Sequence, residues 1–281
     1  MTRILLLLLL LLPGCVADAP EVPLPDDEEP TYTDPGPGVT LGGGPAPTFE
    51  GDDSAEKPAV AEPTLVLTFD DHFMTQWYAH TPLIEKYGGV ATFFVTRWDM
   101  ISRYAVADLH DLEDRGHEIA HHGLMHRNPT DYLADHTIAE YIEDEIVPAT
   151  ALMDRDGFAP TAFAYPWGGQ TAALDAALQD HFTVLRGSGR LNNPEPLMHP
   201  WDGRRVVRGG RVDTGYWSEQ QLIAAMDLAV AQNAALVVYA HRIFDEGAGS
   251  HITPAELEQV LQLATERGMA FATISELAIP R

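Results

Sequence analysis

The 281-residue chain holds 42 acidic against 17 basic side chains, a net charge of −25, and 45% of its residues are hydrophobic. A chain of this make-up can bury a sizeable core, and so anionic a surface argues against nucleic acid as a partner, because it repels a phosphate backbone. The single cysteine excludes any intrachain disulfide, so the fold must be held by its core alone.

In chain order, Met1-Thr2-Arg3 and the apolar run Ile4–Leu12 form a charged lead and a hydrophobic segment. The run falls short of the roughly twenty apolar residues needed to span a bilayer, so it reads as an export signal. It ends in Leu12-Pro13-Gly14-Cys15, which resembles a bacterial lipobox, although Pro13 is unusual in its slot. That resemblance implies that residues 1–15 are a lipoprotein signal peptide and that a lipidated Cys15 anchors the chain to a membrane of the cell envelope. An ordinary signal peptide cleaved nearby is the alternative. Residues 16–60 are rich in Pro, Gly and carboxylates, as in Asp26-Asp27-Glu28-Glu29-Pro30. Such a composition cannot offset the entropy of ordering and is expected to be a disordered tether. Setting both segments aside leaves 31 acids against 15 bases, so the body keeps a net charge of −16.

Residues 61–281 are expected to form one α/β domain. Strand-like runs recur at Thr64–Phe69, Ala91–Thr96, His117–His121, Thr161–Tyr165, Phe182–Arg186, Leu236–Ala240 and Ala270–Ile274. Helix-like stretches lie between them at Thr81–Tyr87, Val106–Arg115, Thr137–Asp154, Ser218–Gln232 and Pro254–Arg267. The last is the best punctuated: Thr253 as N-cap, Pro254 at the first position, Glu256 completing a capping box and Gly268 as a stop. Alternation of this kind predicts mostly parallel strands.

Two patterns carry chemistry. Thr68-Phe69-Asp70-Asp71 closes the first strand-like run, and His122-Gly123-Leu124-Met125-His126 follows the third. Imidazoles four apart share a face if their segment is helical. Two imidazoles and a carboxylate are a catalytic zinc set that leaves a position open for water, with the second carboxylate free to act on that water. Each pattern also has a plain structural reading. Aspartates at strand ends often cap or face solvent, and an H-x-x-x-H spacing arises easily among 12 histidines. Their placement just after strands, where α/β barrels keep their chemistry, favours a metal-dependent hydrolase.

These motifs, with Phe163-Ala164-Tyr165-Pro166-Trp167-Gly168, Val237-Val238-Tyr239-Ala240-His241 and His251-Ile252-Thr253-Pro254, resemble in order those of the polysaccharide deacetylases, the NodB-like carbohydrate esterases of family four. The resemblance implies a distorted (β/α) barrel with fewer than eight strands. It implies a divalent metal on Asp71, His122 and His126, zinc by default, with Co2+, Ni2+ or Fe2+ suited to the same donors. It makes Asp70 the general base and His241 the general acid, places Trp167 and Tyr165 at the oxyanion and substrate, and makes an acetylated polysaccharide the partner. A register shifted by one residue would put His121 on the metal in place of His122.

Three departures stand out. Gly123 lies where the family usually has Ser or Thr, so a hydroxyl that would buttress the loop is absent. Ala164 occupies the slot of an arginine that pairs with the base, leaving Arg186 or Arg208 to supply the cation. The aspartate that tunes the acid histidine has two candidates, Asp202 and Asp213. Removal of N-acetyl groups is the expected activity. The departures keep open an O-acetyl esterase or other amide hydrolase on the same fold, and a glycan-binding lipoprotein with degraded catalysis.

Overall fold

Thr64–Phe69 carries Leu65, Val66, Leu67 and Phe69 with two threonines and no charge, as expected of a strand covered on both faces, and in the computed structural model every residue from Thr64 to Asp70 is buried. The structure describes residues 61–245 and 249–280; the signal segment, the tether and Cys15 lie outside them. The strands are β1 (Thr64–Asp71), β2 (Ala91–Val95), β3 (Glu118–His121), β4 (Ala162–Ala164), β5 (Val184–Gly189), β6 (Met198–His199), β7 (Val206–Arg211), β8 (Ala235–Ala240), β9 (Arg242–Ile243), β10 (His251–Ile252) and β11 (Ala270–Phe271). The helices are α1 (Met74–Lys86), α2 (Arg103–Asp114), α3 (Pro129–Tyr132), α4 (Ile138–Tyr141), α5 (Val147–Arg155), α6 (Ala172–Leu178), α7 (Glu219–Gln232) and α8 (Pro254–Glu266).

Seven parallel strands run in the order β1-β2-β3-β4-β5-β7-β8, and β8 pairs back onto β1 to close a barrel. This is the distorted (β/α) barrel expected from the motifs. Its lumen is packed with small or medium side chains, among them Val66, Ala120, Ala162, Ala164, Val184 and Ala235. Leu65, Leu67, Phe69 and Phe93 belong to a separate core that includes Trp77 and Ile84 of α1 and Leu257 and Leu261 of α8. The alternation along β1 thus separates a lumen from an outer layer. The far end is closed by the C-terminal segment. Glu118, first in β3, accepts from the backbone N–H and hydroxyl of Ser275, and Thr92 in β2 accepts from the Ile274 N–H. The C-terminal strand ends stay open, as catalysis on a barrel requires.

Several expectations need correction. The seventh barrel strand is β7, not Ala270–Ile274, of which only Ala270–Phe271 is a strand, paired beside the first two residues of β1. Strand β7 reads Val206-Val207-Arg208-Gly209-Gly210-Arg211, and its glycines and arginines break the β-branched, aromatic pattern by which a strand is recognised. Helix α1 begins at Met74, seven residues ahead of the expected start, and carries Pro82 in its interior. The stretch expected as one helix over Thr137–Asp154 is α4, a wide π-turn at Ile142–Ile146, and α5. Pro148 has no N–H to give the carbonyl of Asp144, and a wide turn just before it absorbs that break. Helix α6, capped by the Thr171 hydroxyl, is an addition to the expected elements. Residues 122–126 are not helical; their histidines converge by a different route.

Candidate active site

Strand β1 delivers two carboxylates to the open end of the barrel. Asp70 is buried, and at Asp71 the backbone turns into the left-handed region, φ +88°. The loop after β3 bends twice in that region, at Gly123 (φ +78°) and His126 (φ +57°), so a folded-back loop replaces the helical turn expected from the spacing. It brings the rings of His122 and His126 to 4.9 Å. His126 Nε2 lies 3.1 Å and His122 Nε2 3.7 Å from Asp71 Oδ1. The donor atoms of all three lie within 4.8 Å of one another, the one such group of His, Cys, Asp or Glu found among the described residues.

This set fits a divalent cation. His122 Nδ1 sits 2.8 Å from the Ala164 carbonyl, so it carries the ring proton and leaves the Nε2 lone pair facing Asp71. Asp71 Oδ1 is a buried acceptor without a hydrogen-bond donor, an arrangement that asks for a cation. Burial opposes the Asp71 charge, but His126, His122 and His241 outweigh it and hold the carboxyl well below its usual range. Burial takes His122 down to about 4, so both groups are deprotonated near neutral pH, as ligands must be. His121 has another place: it lies against Phe163 and Phe182, and its Nδ1 accepts from the Gly123 N–H. It is a core histidine and lies outside the Asp71, His122 and His126 group.

Both tuning partners left open by the sequence find a place. Arg186 reaches Asp70 from β5, and its guanidinium lies 5.2 Å from the Phe94 ring and 4.7 Å from that of Tyr239. In the β4–β5 ladder Arg186 is the direct partner of Ala164. A cation on the strand next to Ala164 thus meets the Asp70 carboxylate. Gly209 makes room for it, since a Cβ there would lie 3.2 Å from Arg186 Cδ. Arg208 instead donates to the Ser188 carbonyl. Asp213 is buried and accepts from His241 Nδ1 at 2.6 Å, from the His241 backbone N–H at 3.1 Å, and from Arg211 at 2.6 Å. Burial works against a charged His241, yet Asp213, with Asp70 and Asp71 behind it, raises its pKa above the ordinary value. Asp202 binds Arg204 on the surface and plays no part here.

Glu145 carries no signal in the sequence, because nothing in its neighbourhood distinguishes it among 42 acids. The π-turn before Pro148 carries its side chain beneath the metal loop, where it is fully buried. Its carboxylate accepts from the Met125 N–H at 2.9 Å, and its carbonyl accepts from the Leu124 N–H at 3.0 Å. A Cβ at Gly123 would lie 2.8 Å from Glu145 Oε2. A side chain at Gly123 and the buried carboxylate would thus compete for one space.

Trp167 sits in a left-handed turn (φ +60°) and is 74% exposed, its indole nitrogen donating to the His126 carbonyl at 3.2 Å. Tyr165 is buried, and its hydroxyl is committed to Asp175 at 2.6 Å, which fixes the turn that carries Trp167. Asp70, Asp71, His122, His126, Trp167 and His241 line a single cavity of about 190 Å3.

Residues 57–183 match the family model described as polysaccharide deacetylase. The matched segment is a polysaccharide deacetylase domain. No curated protein matches the chain significantly. Among solved structures it is similar to the catalytic domain of a peptidoglycan N-acetylglucosamine deacetylase from Eubacterium rectale ATCC 33656, at 18% identity, covering 80% of this chain and 96% of that one, with a TM-score of 0.50. It is also similar to the T48 deacetylase solved with substrate, at 17% identity, 77% and 90% coverage and a TM-score of 0.50. A third, the peptidoglycan deacetylase PdaC from Bacillus subtilis, has 18% identity, 77% and 90% coverage and a TM-score of 0.49. The first two support the barrel fold.

Three substitutions test these supporting groups. Arg186→Ala leaves Asp70 buried and unpaired and is expected to destabilise the fold by about 3–5 kcal/mol. Adding Ala164→Arg, on the facing rung, should recover part of that loss; urea unfolding of the single and double variants reads this out. Glu145→Ala removes the acceptor under the metal loop and should weaken metal binding about 10–100-fold, measured by chelator competition.

Proposed function

We propose that the protein is a metal-dependent hydrolase that removes N-acetyl groups from a polysaccharide of the cell envelope or exterior. The observation that carries this reading is the orphaned Asp71 oxygen between two imidazole nitrogens, beside one carboxylate held by an arginine and one histidine held by an aspartate. Asp71, His122 and His126 would hold the ion, which when bound acidifies a water and polarises the acyl carbonyl. Zinc is the first choice for such donors.

The remaining steps belong to this chain. Asp70, paired with and oriented by Arg186, takes the proton of the attacking water. The backbone N–H of Trp167 stabilises charge developing on the acyl oxygen. His241, oriented through Nδ1 by Asp213, presents Nε2 to protonate the departing amine. The products are acetate and a free amino sugar. Aromatic faces at the rim, above all the exposed Trp167, suit the flat faces of sugar rings.

The rival readings rest on Gly123, Ala164 and the aspartate that the sequence leaves unplaced. Glu145, Arg186 and Asp213 can fill those roles, which removes the motive for degraded catalysis. An O-acetyl esterase would use the same groups and is separated by substrate alone. We further propose that the chain is exported and anchored through a lipidated Cys15. A Cys15→Ser variant should then leave the membrane fraction.

Acetate release from N-acetylglucosamine oligomers is expected, to be abolished by a chelator and restored by zinc or cobalt. Asp70→Asn should lower kcat about 10²–10⁴-fold. Silence on N-acetylated glycans with turnover of O-acetyl esters would replace this reading with the esterase. Because His241 acts while protonated, activity should fall as pH rises through its raised pKa. Asp213→Asn removes the anion that raises it, so the alkaline limb of the kcat profile should move to lower pH.

A further inference from the structure

Side chains along β8 alternate between two surroundings. Val237 belongs to the lumen core, whereas Val238 and Ala240 belong to the outer one. Tyr239 therefore points the way Val237 does, one layer nearer the open end. There its ring lies 4.7 Å from the Arg186 guanidinium and 5.8 Å, edge-on, from the His241 ring. Arg186 holds Asp70, so Tyr239 sits between the carboxylate and the imidazole that must both reach the scissile amide.

The catalytic cavity, about 190 Å3, has no aliphatic side chain in its wall among the described residues. Its hydroxyls fall into two groups. That of Tyr165 is committed to Asp175, and that of Ser250 to Arg211. Those of Tyr239 and Ser188 make no hydrogen bond with any described residue. Neither is sealed off as the Tyr141 hydroxyl is, which is buried without a partner. Two uncommitted donors thus line the space that an acyl arm enters, and no aliphatic side chain is there to meet a methyl group.

Resting on the deacetylase reading, we propose that Tyr239, with Ser188, selects an acyl arm that ends in a hydroxyl. The site then takes a hydroxyacetyl (glycolyl) amide in preference to an acetyl one. Only the reacting arm needs to enter so small a cavity, while the sugar stays at the rim beside the exposed Trp167. An arm ending in a hydroxyl replaces the water that the two protein hydroxyls lose. An arm of the same size ending in methyl strips that water without return. The bonds made and broken are those of acetyl removal. The water oxygen adds to the acyl carbon, the carbon–nitrogen bond breaks, the nitrogen takes a proton from His241, and glycolate leaves in place of acetate. Acetyl, one heavy atom smaller, enters the same cavity.

The test uses the full-length protein and N-acetylglucosamine oligomers, compared with the same oligomers carrying N-glycolyl or N-propionyl arms. Release of free amine gives kcat/KM for each. Propionyl matches glycolyl in size and lacks only the hydroxyl, so glycolyl should be favoured over it by about three- to tenfold. Tyr239→Phe keeps the ring over Arg186 and removes only the hydroxyl, and this ratio should fall toward one. Ser188→Ala should lower it as well. Propionyl turned over as fast as glycolyl, or a preference unchanged in both variants, overturns the selection. So does a loss in Tyr239→Phe that is equal for all three arms, which would place the hydroxyl at the acyl oxygen instead. Release of amine without the preference overturns this inference alone. Release from none of the three arms overturns the deacetylase reading and the inference with it.

Discussion

The buried pair of Asp70 and Arg186 is the constraint around which the open end of the barrel is arranged. A carboxylate deep in a lumen is costly unless it is paired and hydrogen-bonded. The pair needs a small residue at Ala164 and space at Gly209, and it gains the ring faces of Phe94 and Tyr239. A lumen filled largely by alanine and valine leaves the volume for this. The narrow barrel therefore holds one large cation at its catalytic end instead of another apolar layer.

Backbone strain gathers at the same end. Asp71, His126 and Trp167 are three of the six non-glycine residues with positive φ among the described residues, a conformation costing about 1–3 kcal/mol at each site unless its surroundings enforce it. They are enforced here. The Thr96 N–H binds the Asp71 carbonyl, the Arg97 N–H binds the Leu124 carbonyl, and the Trp167 indole binds the His126 carbonyl. Glu145 adds a buried acceptor beneath the loop. Donor atoms are thus held in convergence by the scaffold itself.

Legibility in the sequence follows from what is encoded locally. Strand β1, the capping box of α8 and the ordered motifs are legible because each is written in adjacent residues with strong propensity or spacing. The metal-site residues can be named from the chain, but their spacing suggests a helical turn where left-handed loop residues achieve the convergence. Strand β7 is hidden because Gly209 and Gly210 lower strand propensity, although Arg186 and Leu197 leave no room there for larger side chains. Arg186 and Asp213 each stand beside an equal candidate, Arg208 and Asp202. Choosing between them requires the ladder register and the reach of a side chain, which no local pattern states.

Two of the three motif departures follow one rule. Chemistry fixes where an atom must lie, and the chain position that supplies the atom is free to change if volume is conserved. Ala164 and Arg186 set a small side chain beside a large one across one rung of the sheet. Beside Gly123, which has no side chain, the π-turn brings in the carboxylate of Glu145. In each case the vacated position must stay small, since restoring a side chain at Gly123 would drive its Cβ into Glu145. A deacetylase motif with gaps should therefore be judged by whether a buried group elsewhere fills the space those gaps leave.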